Sequence, residues 1–468
     1  MSSVNNLHNG PENNSIISIL FLCCVGLIPW LHGAELDWEI LLFTVLFMLL
    51  LSGTLFSNKV NITNEFTSVK LPLILLLCWF VYCGLFLIPL PKEWIEILSP
   101  NILLVQENGN SSSSEKLLTL SKALTLIELA KVVCVICVFC LCYQIAKVKK
   151  QQNNILKVLF YSSAVMALYS QLNHYTDGQY ELIEAIPPWD ANWKTTVRGT
   201  FSYKNQYAIY LAMTMALGTG LLFDEINAKY QDLALNSFTS IFRNIILEKH
   251  FLDIVLSLVM LVSFFGADSR GASLVLIVTT VLISFNYILR SKKSLWSKKH
   301  LFVTLGIALI FTVIFVPSKS FERYEKYGLK DHGRGALHLT AISVVKEYPI
   351  LGTGPGTYPA IQHQYKTVEL GNSAMSKHAH SDYLEFFAAQ GVLGCLLLGT
   401  ALLLMLFKAF SFVPVKNVGK VLGCQIAVLS LLVHSAIDFN FGTLALSVYF
   451  FVILAVLLRM AEPPKLNG

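Results

Sequence analysis

Long apolar runs alternate with polar ones along the whole chain, and the apolar runs recur at a similar length. They fall at about 16–31, 38–56, 71–90, 123–146, 155–172, 203–223, 251–267, 271–289, 301–317, 383–407, 418–436 and 443–460. Most approach the roughly 20 residues that cross a bilayer as a helix. The pattern predicts an all-α, polytopic membrane protein of about twelve transmembrane helices. No small-residue cleavage signal follows the first run, which starts near Ser15, so it reads as a retained helix.

The polar runs give the orientation. Lys147, Lys149 and Lys150 flank one short loop. Arg290, Lys292, Lys293, Lys298 and Lys299 crowd another, and Lys408, Lys416 and Lys420 mark a third. Arg459 and Lys465 close the chain. With twelve spans all of these lie on one side, which the positive-inside rule makes cytoplasmic. The other side then receives the polar segments 91–122, 173–202 and 318–382. The first holds a Ser-rich stretch, Ser111–Ser114, that reads as flexible loop. The last, between the ninth and tenth spans, is too long to obey the charge rule. Within it GRGALHLTAISVVKEYP has helical spacing, with Pro349 and the following glycines as the stop.

Composition agrees. The chain is 54% hydrophobic and 14% charged, against about 45–50% and about 25% in soluble domains, and its mean hydropathy is +0.60. The ten cysteines lie in or at the ends of apolar runs, which argues against a disulfide framework. Cys134, Cys137 and Cys140 mimic a metal spacing, but their segment KVVCVICVFCLCY is otherwise an apolar helix, and they read as small packing residues.

The unusual polar residues share the non-cytoplasmic side. Arg198 ends the loop before the sixth span. Arg270, in ADSRGAS, sits at the turn between the seventh and eighth. Arg323 and Arg334 lie in the large loop, His378 and His380 at its end, and His434 and Asp438 at the end of the eleventh span. A single Arg near a helix end is ordinarily an interfacial anchor, but several charged groups on one boundary are costly unless they pair or serve function. His434 and Asp438, four apart, read as a structural pair on one helical face. Asp382 and Glu385 give the tenth span an Asp-x-x-Glu start resembling a capping box. The Gly352-x-Gly354-x-Gly356 run lacks the strand and spacing of a nucleotide loop and reads as a turn that lets the large loop re-enter. His378 and His380 have no further ligands at metal-site spacing.

Jointly the set suits one chemistry. Guanidinium groups hold phosphates through paired, charge-assisted hydrogen bonds, and a His takes a proton from a hydroxyl near neutral pH. A lipid-linked pyrophosphate donor and a hydroxyl acceptor fit. Neither a nucleotide nor a metal need be invoked, and no nucleic-acid partner is expected.

The same residues carry a resemblance. RGTFSYKNQYAIYLAM (198–213), SRGAS (269–273), GRGALHLTAISVVKEYPILGTGPGTY (333–358), HAHSDYLEFFAAQGVLG (378–394) and HSAIDFNF (434–441) together resemble the bacterial O-antigen ligase/polymerase membrane proteins. On this reading 1–190 holds transmembrane helices 1–5, and 191–468 is the ligase-related region with its loop 318–382. The resemblance implies a GT-C-like fold with a large periplasmic loop in a bacterial inner membrane. It implies metal-independent, inverting transfer of a glycan from undecaprenyl pyrophosphate to lipid A–core, to a lipid-linked glycan, or to protein. By motif, Arg198 and Arg270 would bind the pyrophosphate with Lys204 nearby. Arg334 would touch phosphate or glycan. His380 would be the general base with His378 beside it, supported by His434, Asp438 and Asp382. Ser381 stands where the family often has Asn. Polymerase is slightly favoured over ligase. A lipid-linked oligosaccharide flippase is the rival from another class, but it should show internal repeats and mid-membrane charge. Lys131 is the clearest charge within a span, and no repeat is evident.

Overall fold

The computed structural model describes residues 14–57, 65–108, 115–178, 197–232, 250–291, 333–366 and 377–462. These residues form fifteen α-helices and one two-residue ladder pairing β1 (Leu90–Pro91) with β2 (Glu115–Lys116) antiparallel. Eleven of the twelve expected spans are helices: α1 (Asn14–Leu27), α2 (Asp37–Ser57), α3 (Lys70–Leu85), α6 (Lys122–Ile145), α7 (Lys149–Tyr175), α8 (Lys204–Asp232), α9 (Phe251–Gly266), α10 (Arg270–Arg290), α13 (Asp382–Ser411), α14 (Val418–His434) and α15 (Leu444–Met460). Seven of these are long and apolar enough to span a bilayer, and α1, α9, α14 and α15 are shorter apolar helices. The remaining stretch, 301–317, the ninth in order, lies outside the described residues, as do Ser111–Ser114 and Arg323. Between the spans lie α4 (Lys92–Leu98), α5 (Pro100–Asn108), α11 (Arg334–Glu347) and the single turn α12 (Tyr358–Ile361). The protein is a polytopic, helical membrane protein.

α15 is the axis. Its residues are buried on every face from Leu444 to Arg459, as expected of an all-apolar helix enclosed by others. Its first free amides are met from outside: Leu444 and Ala445 donate to the carbonyls of Ala34 and Gly33 in the α1–α2 turn. α8 and α14 approach most closely through small residues. A Cβ on Gly220 would lie 2.3 Å from the Gly419 carbonyl oxygen, and one on Gly423 would lie 2.4 Å from that of Ala216. This is the small-xxx-small contact of membrane helices, where packing replaces the hydrophobic drive. The cysteines of α6 are free, and Cys134, Cys137, Cys140 and Cys142 are buried. Leu41, Val45, Leu49, Leu274, Leu282, Leu403 and Phe407 instead present large exposed apolar side chains along α2, α10 and α13, a surface suited to lipid.

Charges gather at the two ends of the bundle. At the end carrying the Lys- and Arg-rich short loops, the Arg459 guanidinium lies over the Tyr143 ring at 3.7 Å, donates to the Tyr143 carbonyl at 2.6 Å and pairs with Glu462 at 2.7 Å. Lys131 pairs inside the bundle with Glu128 at 3.4 Å and donates to the Gly442 carbonyl at 3.0 Å.

α13 is broken at Gly391, whose φ of 60° and ψ of −170° are not helical and belong to a region almost reserved for glycine. The carbonyls and amides freed by the break are met by the glycine turn. Thr353 and Gly354 donate to the carbonyls of Ala388 and Ala389, while Val392 and Leu393 donate to those of Pro349 and Ile350. From α3, Trp79 donates to the Gln390 side chain at 2.6 Å and Tyr82 to the Gln390 carbonyl at 2.7 Å. The re-entering turn expected at Gly352–Gly356 is therefore a brace for a split helix. Irregular backbone survives at such depth only when the protein itself satisfies it.

Candidate functional site

The end opposite the Arg459 cluster is built by three segments: the N-terminus of α8, the run 377–382 that enters α13, and the turn 435–443 between α14 and α15. α14 stops at His434. Asp438 is therefore in the turn, and His434 and Asp438 are not a helical pair. Beyond the helix the two side chains part. His434 Nδ1 lies 3.0 Å from Asn440 Oδ1, whereas Asp438 faces His380.

His380 Nδ1 stands 3.0 Å from Asp438 Oδ1. The residue has φ +53°, a left-handed backbone in which His is several-fold enriched. Its carbonyl lies 3.2 Å from His338 Nε2 on α11. Two residues on, the Asp382 amide donates to the carbonyls of Ser435 and Asp438, and the Asp382 carboxylate accepts from the amides of Asn440 at 2.8 Å and Phe441 at 3.2 Å. Asp382 thus ties α13 to the turn. Nor is there a capping box: Ser381 makes no side-chain cap, and Glu385 reaches back to the Ala379 amide at 2.7 Å and to His378 Nδ1 at 3.1 Å.

Asp438 is 1% exposed and holds four donors in view. Besides His380, it accepts from Asn205 Nδ2 at 2.6 Å and from the Phe439 amide at 3.0 Å, and Arg334 Nη2 lies 3.5 Å away. Burial pushes its carboxyl up, but the hydrogen bond from His380 and the nearby His434, His380 and Arg334 outweigh that and hold it below the ordinary carboxylate value. His378 lies face to face on the Phe439 ring, centroids 4.0 Å apart. Burial pulls its pKa down, while Glu385, Glu35 and Asp382 more than offset this and leave it raised. His378 is thereby biased towards the imidazolium form.

The expected site residues converge to different degrees. His380, Asp438 and Arg334 form one network, with Asp382 beneath it. Lys204, the first residue of α8, lies 3.7 Å from Asp268 in the α9–α10 turn. Its neighbours reach the network: Asn205 bonds Asp438, and the Tyr203 ring lies 5.1 Å from Phe439 and 5.9 Å from His380. Arg198 donates to the Ser202 carbonyl at 3.3 Å. Arg270 is exposed at the start of α10 and, among the described residues, makes no ion pair. The next residue, Gly271, packs on His434, where a Cβ would lie 3.3 Å from Nε2. Sequence reasoning missed Asn205, Tyr203, His338, Phe439 and Asn440 as site residues. All five stand inside the quoted motifs, but nothing in their spacing marks them as site residues.

Residues 255–399 match the family model for O-antigen ligase. The chain therefore carries an O-antigen ligase domain over that stretch, which takes in Arg270, Arg334, His378, His380 and Asp382 and ends before Asp438. No curated protein matched the chain. The match over that stretch links the chain broadly to glycan transfer of the O-antigen ligase and polymerase type, with lipid-linked glycans as the general substrate class.

Proposed function

We propose that the protein is a GT-C-like inner-membrane glycosyltransferase of about twelve spans. It transfers a glycan from undecaprenyl pyrophosphate to a hydroxyl acceptor at the periplasmic face, with His380 as the base. The observation that carries this reading is the His380–Asp438 pair at 3.0 Å. A carboxylate on Nδ1 fixes that nitrogen as the donor and leaves Nε2 to accept a proton, the arrangement used wherever an Asp–His pair activates a hydroxyl.

The acceptor hydroxyl gives its proton to His380 Nε2 as its oxygen attacks the anomeric carbon. The carbon–oxygen bond to the pyrophosphate breaks, and that electron pair leaves with the phosphate oxygen. Attack opposite the leaving group inverts the anomeric centre. Asp438, already ionised, stabilises the imidazolium that forms. Arg270, Arg198 and Lys204 meet the phosphates, and Arg334, partly exposed beside Asp438, meets phosphate or glycan. His378, held between Glu385 and the Phe439 ring, is placed to donate to a phosphate or glycan oxygen. The polymerase reading is slightly favoured over the lipid A–core ligase.

Reconstitution tests this. Purified protein is given an undecaprenyl-pyrophosphate repeat unit with and without lipid A–core, and products are resolved on a gel beside His380→Ala. A ladder without core identifies a polymerase, and product only with core a ligase. No product with cognate substrates, or full product from His380→Ala, overturns the reading.

A further inference from the structure

A second cluster of ligating side chains lies at the opposite end of the bundle, where α7, α8 and α9 meet. Glu225 is on α8, Asp253 is in the first turn of α9, and His250 is the residue that enters α9. The three offer ligand atoms that all lie within 4.8 Å of one another. His250 is 1% exposed, and among the described residues neither ring nitrogen has a hydrogen-bond partner. Its Nδ1 stands 3.6 Å from Glu225 Oε2 and 3.6 Å from Asp253 Oδ2. Those distances are too long for hydrogen bonds, which need about 2.7–3.2 Å. They are close to the roughly 3.4 Å that separates two ligands of a tetrahedral ion bound at about 2.1 Å.

The carboxylates are also oriented for such an ion. The Lys157 ammonium holds Glu225 Oε1 at 2.9 Å, and the Tyr161 hydroxyl donates to Asp253 Oδ1 at 2.7 Å. Each acid is thus anchored from α7 through one oxygen and turns the other towards His250 Nδ1. Outer partners of this kind fix metal-ligating carboxylates. Two carboxylates against one lysine leave a negative balance, which favours a cation. One imidazole nitrogen and two carboxylate oxygens suit a divalent transition-metal ion, and the imidazole disfavours magnesium and calcium.

We propose that Glu225, His250 and Asp253 bind a divalent transition-metal ion of the zinc type, which clamps α8 to α9 away from the His380 site. The proposal is independent of the glycan-transfer reading, because its test measures metal and not product. Untagged full-length protein in detergent is stripped with chelator, incubated with Zn²⁺, desalted, and its metal content measured; Mn²⁺ is run in parallel. The wild type should keep about one equivalent of zinc, and His250→Ala, Glu225→Gln and Asp253→Asn should each lower retention at least about tenfold. The two conservative variants guard against a failure of His250→Ala to fold, and each variant is assayed only as monodisperse protein. Wild-type protein that retains no metal overturns the proposal. So does equal retention by the variants, which would place the ion elsewhere, for example on the cysteines of α6.

Discussion

The sharpest perturbation of the His380 site is Asp438→Asn, which keeps the shape and removes the charge. Asp438 Oδ1 serves His380 Nδ1 and the Phe439 amide, and Oδ2 serves Asn205 Nδ2 and faces Arg334. All four are donors, so an amide NH₂ meets a donor whichever way it is turned. Placed at Oδ1, it forces His380 to accept at Nδ1. The ring's proton then moves to Nε2, the atom the reaction needs empty, and tautomer reversal of this kind costs about 10⁴ in a serine protease. Placed at Oδ2, it leaves Oδ1 for His380, displaces Arg334 towards water, and turns a charge-assisted bond into a neutral one. That loses about 1–2 kcal/mol, or roughly 5- to 30-fold. The expected loss in kcat therefore lies between about 5-fold and about 10⁴-fold, with donor KM little changed.

The assay is initial-rate glycan transfer in detergent or nanodiscs, with thermal unfolding as the control for folding. Coupling provides a second readout. Residues that act as one unit are not additive, so Asp438→Asn added to His380→Ala should cost almost nothing further. A single variant that keeps more than about half of wild-type kcat, or losses that simply multiply in the double variant, would show that Asp438 does not act through His380.

His378→Gln should lose far less turnover than His380→Ala: about 10-fold against at least about 10²-fold; equal losses would exchange their roles. Because the His378 pKa is raised in the folded protein, its stabilising contribution is fully present below the ordinary imidazole value of about 6.5 and fades as pH rises through the raised value. Thermal unfolding should therefore show a larger deficit for His378→Gln at pH 6 than at pH 9, and a deficit that grows with pH would contradict the Glu385 contact. Arg198→Lys and Arg270→Lys should each weaken donor use about 10- to 100-fold, because a point charge does not replace a planar fork; full activity in both would remove paired phosphate binding. Gly391→Ala should destabilise by about 3 kcal/mol or more, since its Cβ would lie 2.2 Å from the Ile350 carbonyl oxygen at a φ of +60°. A monodisperse variant with an unchanged melting temperature would mean the break in α13 is not needed.

The spans were legible because hydropathy is a local property, and eleven stretches read from it are helices. α11 and its stop before Pro349 were legible for the same reason: the spacing is helical and the breaker adjacent. The partner of a side chain is not local. His434 and Asp438 have the spacing of a helical pair, yet the helix ends between them: His434 meets Asn440 in the turn that follows, and Asp438 meets His380 in a tertiary contact. Glu385 looked like a cap from its distance to Asp382, but the bend at His380 brings the Ala379 amide to it first. Asn205 could not be singled out because an Asn near a helix start is ordinarily a turn residue. Its function as an Asp438 donor exists only once α8 lies against the turn after α14.

The split of α13 shows why the site needs more than its own motifs. A general base must be held closely in place if the hydroxyl is to meet it, yet His380 sits on a left-handed residue in an irregular run. Its restraint comes from both sides. His338 on α11 stands at its carbonyl, and two residues on, the Asp382 amide and carboxylate lock the chain onto 435–441. α11 and α13 are in turn joined by the glycine turn, which exchanges backbone hydrogen bonds across the break at Gly391. An unbroken α13 would offer no free amides or carbonyls for that turn, and α11 would lose its hold on the helix that carries His380. The glycines at 352, 354 and 391 are therefore site residues in the physical sense. They touch no substrate, but they determine whether the imidazole stands where a proton can reach it.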